Sequence, residues 1–292
     1  MQTLAAALGP APRVAFRRER WETPDGDFVD LDWAGRSTDC GGPLLALFHG
    51  LEGSSASHYA RAIAACALQA GWRCVVPHFR GCSGELNRLP RAYHSGDTDE
   101  IDWILRRLEA RYAAGVSLGG NVLLKWLGER GGAAALERAV AVSAPVDLAA
   151  AGNALDRGFN RRVYTRMFLR TLRRKSLDKL ERHPGLYDAA RVRAASTLRE
   201  FDDVVTAPLH GFRDADDYWA RASAAPWLKA IRVRTLVINA RNDPFLPEST
   251  LLRVNDVPRN VVLEFPRTGG HAGFPGRKDW LARRVLGFLS ES

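Results

Sequence analysis

Residues 112–129 read Tyr-Ala-Ala-Gly-Val-Ser-Leu-Gly-Gly-Asn-Val-Leu-Leu-Lys-Trp-Leu-Gly-Glu, and the fold is decided there. Ala113–Val116 is a short apolar run of the kind that forms a strand covered on both faces. Asn121–Glu129 carries a helical pattern and begins only a few residues later. Between them stands Gly115-Val116-Ser117-Leu118-Gly119, a serine flanked by glycines. A chain that passes from strand to helix this abruptly has no room for side chains beside the turn. Gly115 and Gly119 are therefore needed for steric reasons, and Gly120 adds clearance. The turn lifts the Ser117 hydroxyl beyond the carboxyl end of the strand, near the positive end of the next helix.

Working outward, the same alternation recurs. Candidate strands are Val14–Trp21, Phe28–Ala34, Leu44–His49, Cys74–His78, Ala113–Val116, Ala139–Ser143, Leu236–Asn239 and Val261–Phe265. The first two alternate apolar with polar residues, as a half-exposed antiparallel pair does; the others are continuous apolar runs. Candidate helices are Ala56–Gln69, Thr98–Ala110, Asn121–Glu129, Glu248–Arg253 and Lys278–Leu289. Alternation of this kind predicts one α/β domain over 1–292, a mainly parallel sheet with helices on both sides.

The segment 146–225 breaks the pattern. It holds no clear strand, and between Arg157 and Arg199 there are thirteen Lys and Arg against three acids, a balance of 13 − 3 = +10. The whole chain carries +9, so this segment supplies essentially all of the excess. Val163, Tyr164, Met167, Phe168 and Leu172 form an apolar stripe at helical spacing among the arginines. The expectation is an inserted basic helical lid.

Composition is that of an ordinary globular protein, 46% hydrophobic and 26% charged over 292 residues. Cys40, Cys66, Cys74 and Cys82 form no CxxC pair and read as free thiols, which fits a reducing compartment. The start of the chain lacks the basic and long apolar regions of a signal peptide, and no stretch approaches the roughly 20 apolar residues that span a bilayer. A soluble, cytoplasmic protein is the expectation.

A serine hydroxyl is a poor nucleophile until a base takes its proton, and the base needs an acid to orient it. His271, in Gly269-Gly270-His271-Ala272-Gly273, follows the last strand candidate; Asp243, in Arg241-Asn242-Asp243-Pro244, follows the one before. Both lie beyond carboxyl ends of strands, where sites of open α/β sheets assemble, and the order is serine, acid, histidine. The candidate catalytic set is thus Ser117, Asp243 and His271. Two backbone amides should face the charge that develops on a tetrahedral intermediate. One is that of Leu118. The other is that of Leu51 in His49-Gly50-Leu51-Glu52-Gly53, with Gly50 expected to supply unusual backbone angles and His49 to brace the loop.

His49-Gly50-Leu51-Glu52-Gly53-Ser54-Ser55, Phe79-Arg80-Gly81-Cys82-Ser83-Gly84-Glu85, Tyr93-His94-Ser95-Gly96-Asp97-Thr98 and the 115–129 stretch together resemble the YheT-like esterase branch of the α/β-hydrolases. Eukaryotic members of that group are abhydrolase-domain lipases and phospholipases. The resemblance runs from about Trp21 to the C-terminus. It implies an eight-stranded sheet, a helical lid, and hydrolysis of carboxylic or lipid esters, with the roles of Ser117, Asp243 and His271 carried over.

No cofactor and no metal site are expected, since His58, His78, His183 and His210 lack partners at ligand spacing. Asp97 reads as a helix N-cap, Asp147 as a reserve acid, and Asp214–Asp217 as the start of a helix. Two readings of the basic lid stay open, a solvated cover and a surface for anionic substrates or membranes; nucleic-acid binding is not expected, because no recognised module and no basic–aromatic interleaving is present. The partner expected is a small-molecule or lipid ester. The same acyl-enzyme would also serve an acyltransferase or thioesterase, and a non-catalytic binding protein could share the fold.

Overall fold

The computed structural model describes residues 3, 11–35, 41–274 and 279–291. Eight strands form one sheet: β1 (Phe16–Glu22), β2 (Phe28–Ala34), β3 (Leu44–Phe48), β4 (Arg73–Pro77), β5 (Tyr112–Val116), β6 (Arg138–Val142), β7 (Arg234–Ile238) and β8 (Val261–Glu264). Their order across the sheet is β1-β2-β4-β3-β5-β6-β7-β8. The pairs β1/β2 and β2/β4 are antiparallel, and every later pair is parallel. All eight predicted strands are present, with ends shifted by one or two residues.

The parallel strands are buried on both faces, and alternate residues serve two different layers. Leu45 and Leu47 of β3 pack with Ile63 and Ala64 of α1 (His58–Gln69) and Val285 of α8 (Trp280–Leu289). Ala46 and Phe48 face the other way, into a layer with Ile101 and Ile104 of α2 (Thr98–Leu108) and Leu123 and Leu127 of α3 (Leu118–Arg130). Helix α3 is buried from Leu118 to Gly128; its two polar members there are bonded, Asn121 to Ser95 O and Ala222 O and Lys125 to Glu129. The predicted helix over Glu248–Arg253 does not form. Only a 3₁₀ turn, Glu248–Thr250, follows Pro247. Cys66 lies in α1, Cys74 in β4 and Cys82 in a loop, all as free thiols; Cys40 and the predicted helix start at Lys278 lie outside the described residues.

Between β6 and β7 the chain is helical, as expected of the lid: α4 (Leu148–Leu155), α5 (Arg166–Arg182), α6 (Ala189–Ala194) and α7 (Ala215–Ala222), joined by short helical turns and two π-helical segments, Arg161–Thr165 and Asp202–Thr206. The lid has its own core, in which Tyr164, Leu169, Val192, Phe201 and Val205 meet Phe245 and Leu246 from the loop after β7. Lys179 of α5 ties the lid down. It is 4% exposed, and its Nζ donates to Asn87 Oδ1 at 2.8 Å, Leu89 O at 2.7 Å and Arg91 O at 3.1 Å. The predicted stripe is only partly inward: Tyr164 is buried, but Met167 is 52% exposed.

Candidate active site

Strand β5 ends at Val116 and α3 begins at Leu118, so one residue makes the whole turn. That residue, Ser117, has φ 55° and ψ −121°, a conformation that side-chain-bearing residues avoid. The flanking glycines are steric necessities. A Cβ on Gly115 would stand 2.3 Å from Gly119 O, and one on Gly119 would stand 2.5 Å from Phe48 O. The strain is held by Ser117 N donating to Val142 O (2.8 Å) and Gly119 N donating to His49 O (3.1 Å).

Above this turn three side chains form one series. Ser117 Oγ lies 2.8 Å from His271 Nε2, and His271 Nδ1 lies 2.9 Å from Asp243 Oδ2 and 3.2 Å from Oδ1. A carboxylate only accepts, so Nδ1 carries a proton, and in the neutral form of the imidazole Nε2 is then the acceptor facing the serine hydroxyl. The Asp243 side chain is 0% exposed, and its Oδ1 also accepts from Phe245 N at 2.9 Å. The Phe245 ring lies 4.2 Å from the imidazole, centroid to centroid. Asn242 Oδ1 accepts from Gly269 N (2.9 Å) and Gly270 N (3.0 Å), which fastens the acid loop to the histidine loop. Neither Asn242 nor Phe245 carried a signal in the sequence beyond proximity to Asp243.

The two amides proposed for the oxyanion lie beside the serine. Leu118 is the first residue of α3, so its N–H is one of the donors a helix leaves unpaired at its start. On the other side, Gly50 N donates to Tyr59 Oη (2.8 Å) and Glu52 N to Tyr93 Oη (3.0 Å). The Leu51 amide between them has no such partner among the described residues. One expectation is corrected here. Gly50 is not left-handed; Glu52 is, at φ 55°, and Gly50 is glycine because a Cβ would lie 3.0 Å from Ser117 Cβ. His49 braces the loop as expected: Nδ1 donates to Gly50 O (2.8 Å) and Nε2 accepts from Phe79 N (3.1 Å). Burial, reinforced by His78, holds its pKa down at about 3, so it stays neutral.

The remaining candidates fall away from the series. Asp147 caps α4, accepting from Ala150 N at 2.9 Å, and Asp214 caps α7, accepting from Asp217 N at 2.8 Å. Asp97 sits at the N-cap position of α2, but its carboxylate pairs with Arg91 (2.6 Å) instead of the helix amides, a correction to its predicted role. His78 bonds Asp32 (2.8 Å), His58 bonds Ala272 O and His183 bonds Arg88 O. Among the described residues no three metal-ligating side chains cluster.

Ser117, His271, Leu51 and Leu118 open onto one cavity, roofed by Leu148, Leu155, Phe168, Leu172, Phe201 and Trp219 of the lid. Its lining is mainly aliphatic and aromatic, with Glu52, Arg80, Asn87, Lys175, Lys179 and Asp202 among its polar members.

Residues 43–276 match the family model of the alpha/beta hydrolase fold. The chain is also 41% identical to a protein of Escherichia coli (strain K12) named "Putative esterase YheT", over 96% of this chain and 88% of that one. It belongs to the α/β-hydrolases, in their YheT-like branch. This hydrolase is further similar to phospholipase ABHD3 of Mus musculus, 32% identical over 90% of the chain and 67% of the relative. Among solved structures it resembles a membrane phospholipase A, with a TM-score of 0.61, 16% identity, and coverage of 94% and 86% of the two chains, a likeness of fold. The family is one of esterases and lipases, and ester hydrolysis is the activity its members' names describe.

Proposed function

We propose that this hydrolase cleaves carboxylic esters, lipid esters among them, through an acyl-enzyme on Ser117. The observation that carries the reading is the unbroken series Ser117–His271–Asp243 at the floor of an apolar cavity. Ser117 Oγ attacks the ester carbonyl as its proton passes to His271 Nε2. Asp243 holds the imidazole in the productive tautomer and stabilises the cation that forms. The amides of Leu51 and Leu118 receive the oxyanion. The intermediate collapses, and the departing alcohol takes its proton from His271. A water then gives a proton to His271 and attacks the acyl carbon, and a second collapse releases the carboxylic acid and returns the Ser117 hydroxyl. The apolar roof supports a substrate whose acyl part is hydrocarbon.

A fluorophosphonate probe is expected to add its phosphonyl mass to the Ser117 peptide. Ser117→Ala should lose that labelling and about a thousandfold or more of ester turnover. Turnover retained by Ser117→Ala would remove the assignment. Chain-length preference follows from the same assay run on esters of graded acyl length.

The lid surface supports a further part of this reading, contact with an anionic membrane. Phe159 and Met167 are 57% and 52% exposed, and Arg161, Arg162, Arg166 and Arg170, close to them in the chain, are exposed as well. Among the described residues no helix is long and apolar enough to cross a membrane.

A further inference from the structure

Glu52 follows Leu51 directly, so its backbone sets where the Leu51 amide points. It holds a left-handed conformation, φ 55°, which a residue with a side chain keeps only where its surroundings enforce it. Two groups enforce it. Tyr93 Oη accepts from Glu52 N at 3.0 Å and donates to Glu52 Oε1 at 2.8 Å. Lys175 Nζ, from lid helix α5, donates to the same Oε1 at 2.8 Å and lies 3.5 Å from Cys82 Sγ.

The Glu52 side chain is 7% exposed, so water screens its charge poorly. It borders the cavity that holds Ser117, where a negative oxyanion would develop. Alone, this carboxylate opposes that charge. Lys175 cancels it, and burial of Lys175 is outweighed by Cys82 and Glu52, which hold its pKa above the ordinary value. The two partners lie 123 residues apart, one on the core and one on the lid. The cation therefore reaches the site only when α5 is seated.

We infer that Lys175 and Glu52 are positioning residues that make the oxyanion hole competent only with the lid closed, an inference that rests on the Ser117 reading above. Neither touches the reacting atoms. Lys175 balances the charge of Glu52, and Glu52, held by Tyr93, orients the Leu51 amide.

The test uses the whole chain and an uncharged p-nitrophenyl ester, which gives Lys175 nothing ionic to bind. Lys175→Met is expected to lower kcat about ten- to a hundredfold with KM little changed, less than the hundred- to thousandfold lost when an oxyanion donor is deleted. Lys175→Arg should recover kcat to within a few fold. Adding Glu52→Gln to Lys175→Met should restore most of the loss, because the amide carries no charge yet still accepts from Tyr93. A purely structural role for Lys175 would leave the double variant no better than the single one. That result, an unchanged kcat in Lys175→Met, or a change confined to KM would each overturn the inference. Should Lys175→Met fail to fold, Lys175→Gln with and without Glu52→Gln gives the same comparison. Fluorophosphonate labelling of the same preparations separates the two levels. A wild-type chain that takes no probe, beside an active Ser117→Ala, defeats the Ser117 reading itself; labelled Ser117 with kcat indifferent to Lys175 defeats only the pair.

Discussion

Asp202 is the one lid carboxyl that borders the cavity. Its Oδ1 accepts from Thr206 Oγ1 at 2.6 Å and its Oδ2 from Trp219 Nε1 at 2.8 Å. Burial pushes its pKa up to about 7; the two hydrogen bonds resist that shift, and Asp156 and Asp203 add to it. The folded state thus prefers the neutral acid. Between the unfolded value near 4 and the folded value near 7, the folded chain holds a proton that the unfolded chain has released. The stability owed to Asp202 is therefore complete below about pH 4 and is lost as pH rises through about 7. Asp202→Asn imitates the neutral acid, still accepting from Trp219 and donating to Thr206. It should be more stable than the parent at pH 8 by about 1–3 kcal/mol, with the gap closing below about pH 4. Denaturant unfolding of both proteins across that range checks this, and a gap that stays constant with pH would refute it.

At the level of elements, α3 lies so close to the end of β3 that position 119 admits no side chain. In Gly119→Ala the new methyl would lie 2.5 Å from Phe48 O and 2.6 Å from His49 O, both backbone atoms that cannot swing aside. Helix α3 must then lift from the strand, at a cost of about 2–4 kcal/mol, and turnover should fall with it because Ser117 begins that helix. Gly132→Ala is the control, since nothing lies within 4 Å of its Cβ position, and it should change stability by less than about 0.5 kcal/mol. Equal unfolding midpoints for the two variants would contradict the packing argument. This is also the level at which the sequence was most legible. The turn through Gly115, Ser117 and Gly119 is written in five consecutive residues, although Gly119 itself packs against Phe48 and His49 of a distant strand end, and the buried strands declare themselves as apolar runs. The helix expected over 248–253 is a 3₁₀ turn instead, because apolar spacing over so short a run does not separate the two. Glycine being the residue freest to adopt them, the sequence places the unusual backbone angles at Gly50, whereas the left-handed residue is Glu52, bonded to Tyr93 and Lys175. Those contacts span 41 and 123 residues, so no local pattern announces them. His271 and Asp243 were legible for the opposite reason: their positions follow from the strand ends that precede them.

For the whole molecule the decisive quantity is the placement of charge. The net +9 is concentrated in the lid, where Arg161, Arg162, Arg166 and Arg170 are exposed, close in the chain to Phe159 and Met167. Helical spacing alone does not orient the lid: Met167 belongs to the apolar stripe of the sequence and yet faces solvent. Phe159 and Met167 are exposed while Val163, between them, packs against the lid core, so it is these two side chains that can enter an interface while the arginines meet lipid phosphates. Each arginine near an anionic surface contributes about 1 kcal/mol, and the attraction fades beyond a Debye length. The hydrolase should therefore sediment with vesicles rich in anionic phospholipid and not with vesicles of phosphatidylcholine alone. Raising salt from about 0.1 M to about 1 M shortens the Debye length from about 10 Å to about 3 Å and should release most of the bound protein. Phe159→Ser with Met167→Ser should weaken vesicle binding at low salt while leaving turnover of a water-soluble ester intact, because neither side chain borders the cavity. If binding ignored salt and lipid charge alike, or survived that double substitution unchanged, the arginine-bearing face would be a solvated cover over the active site and nothing more.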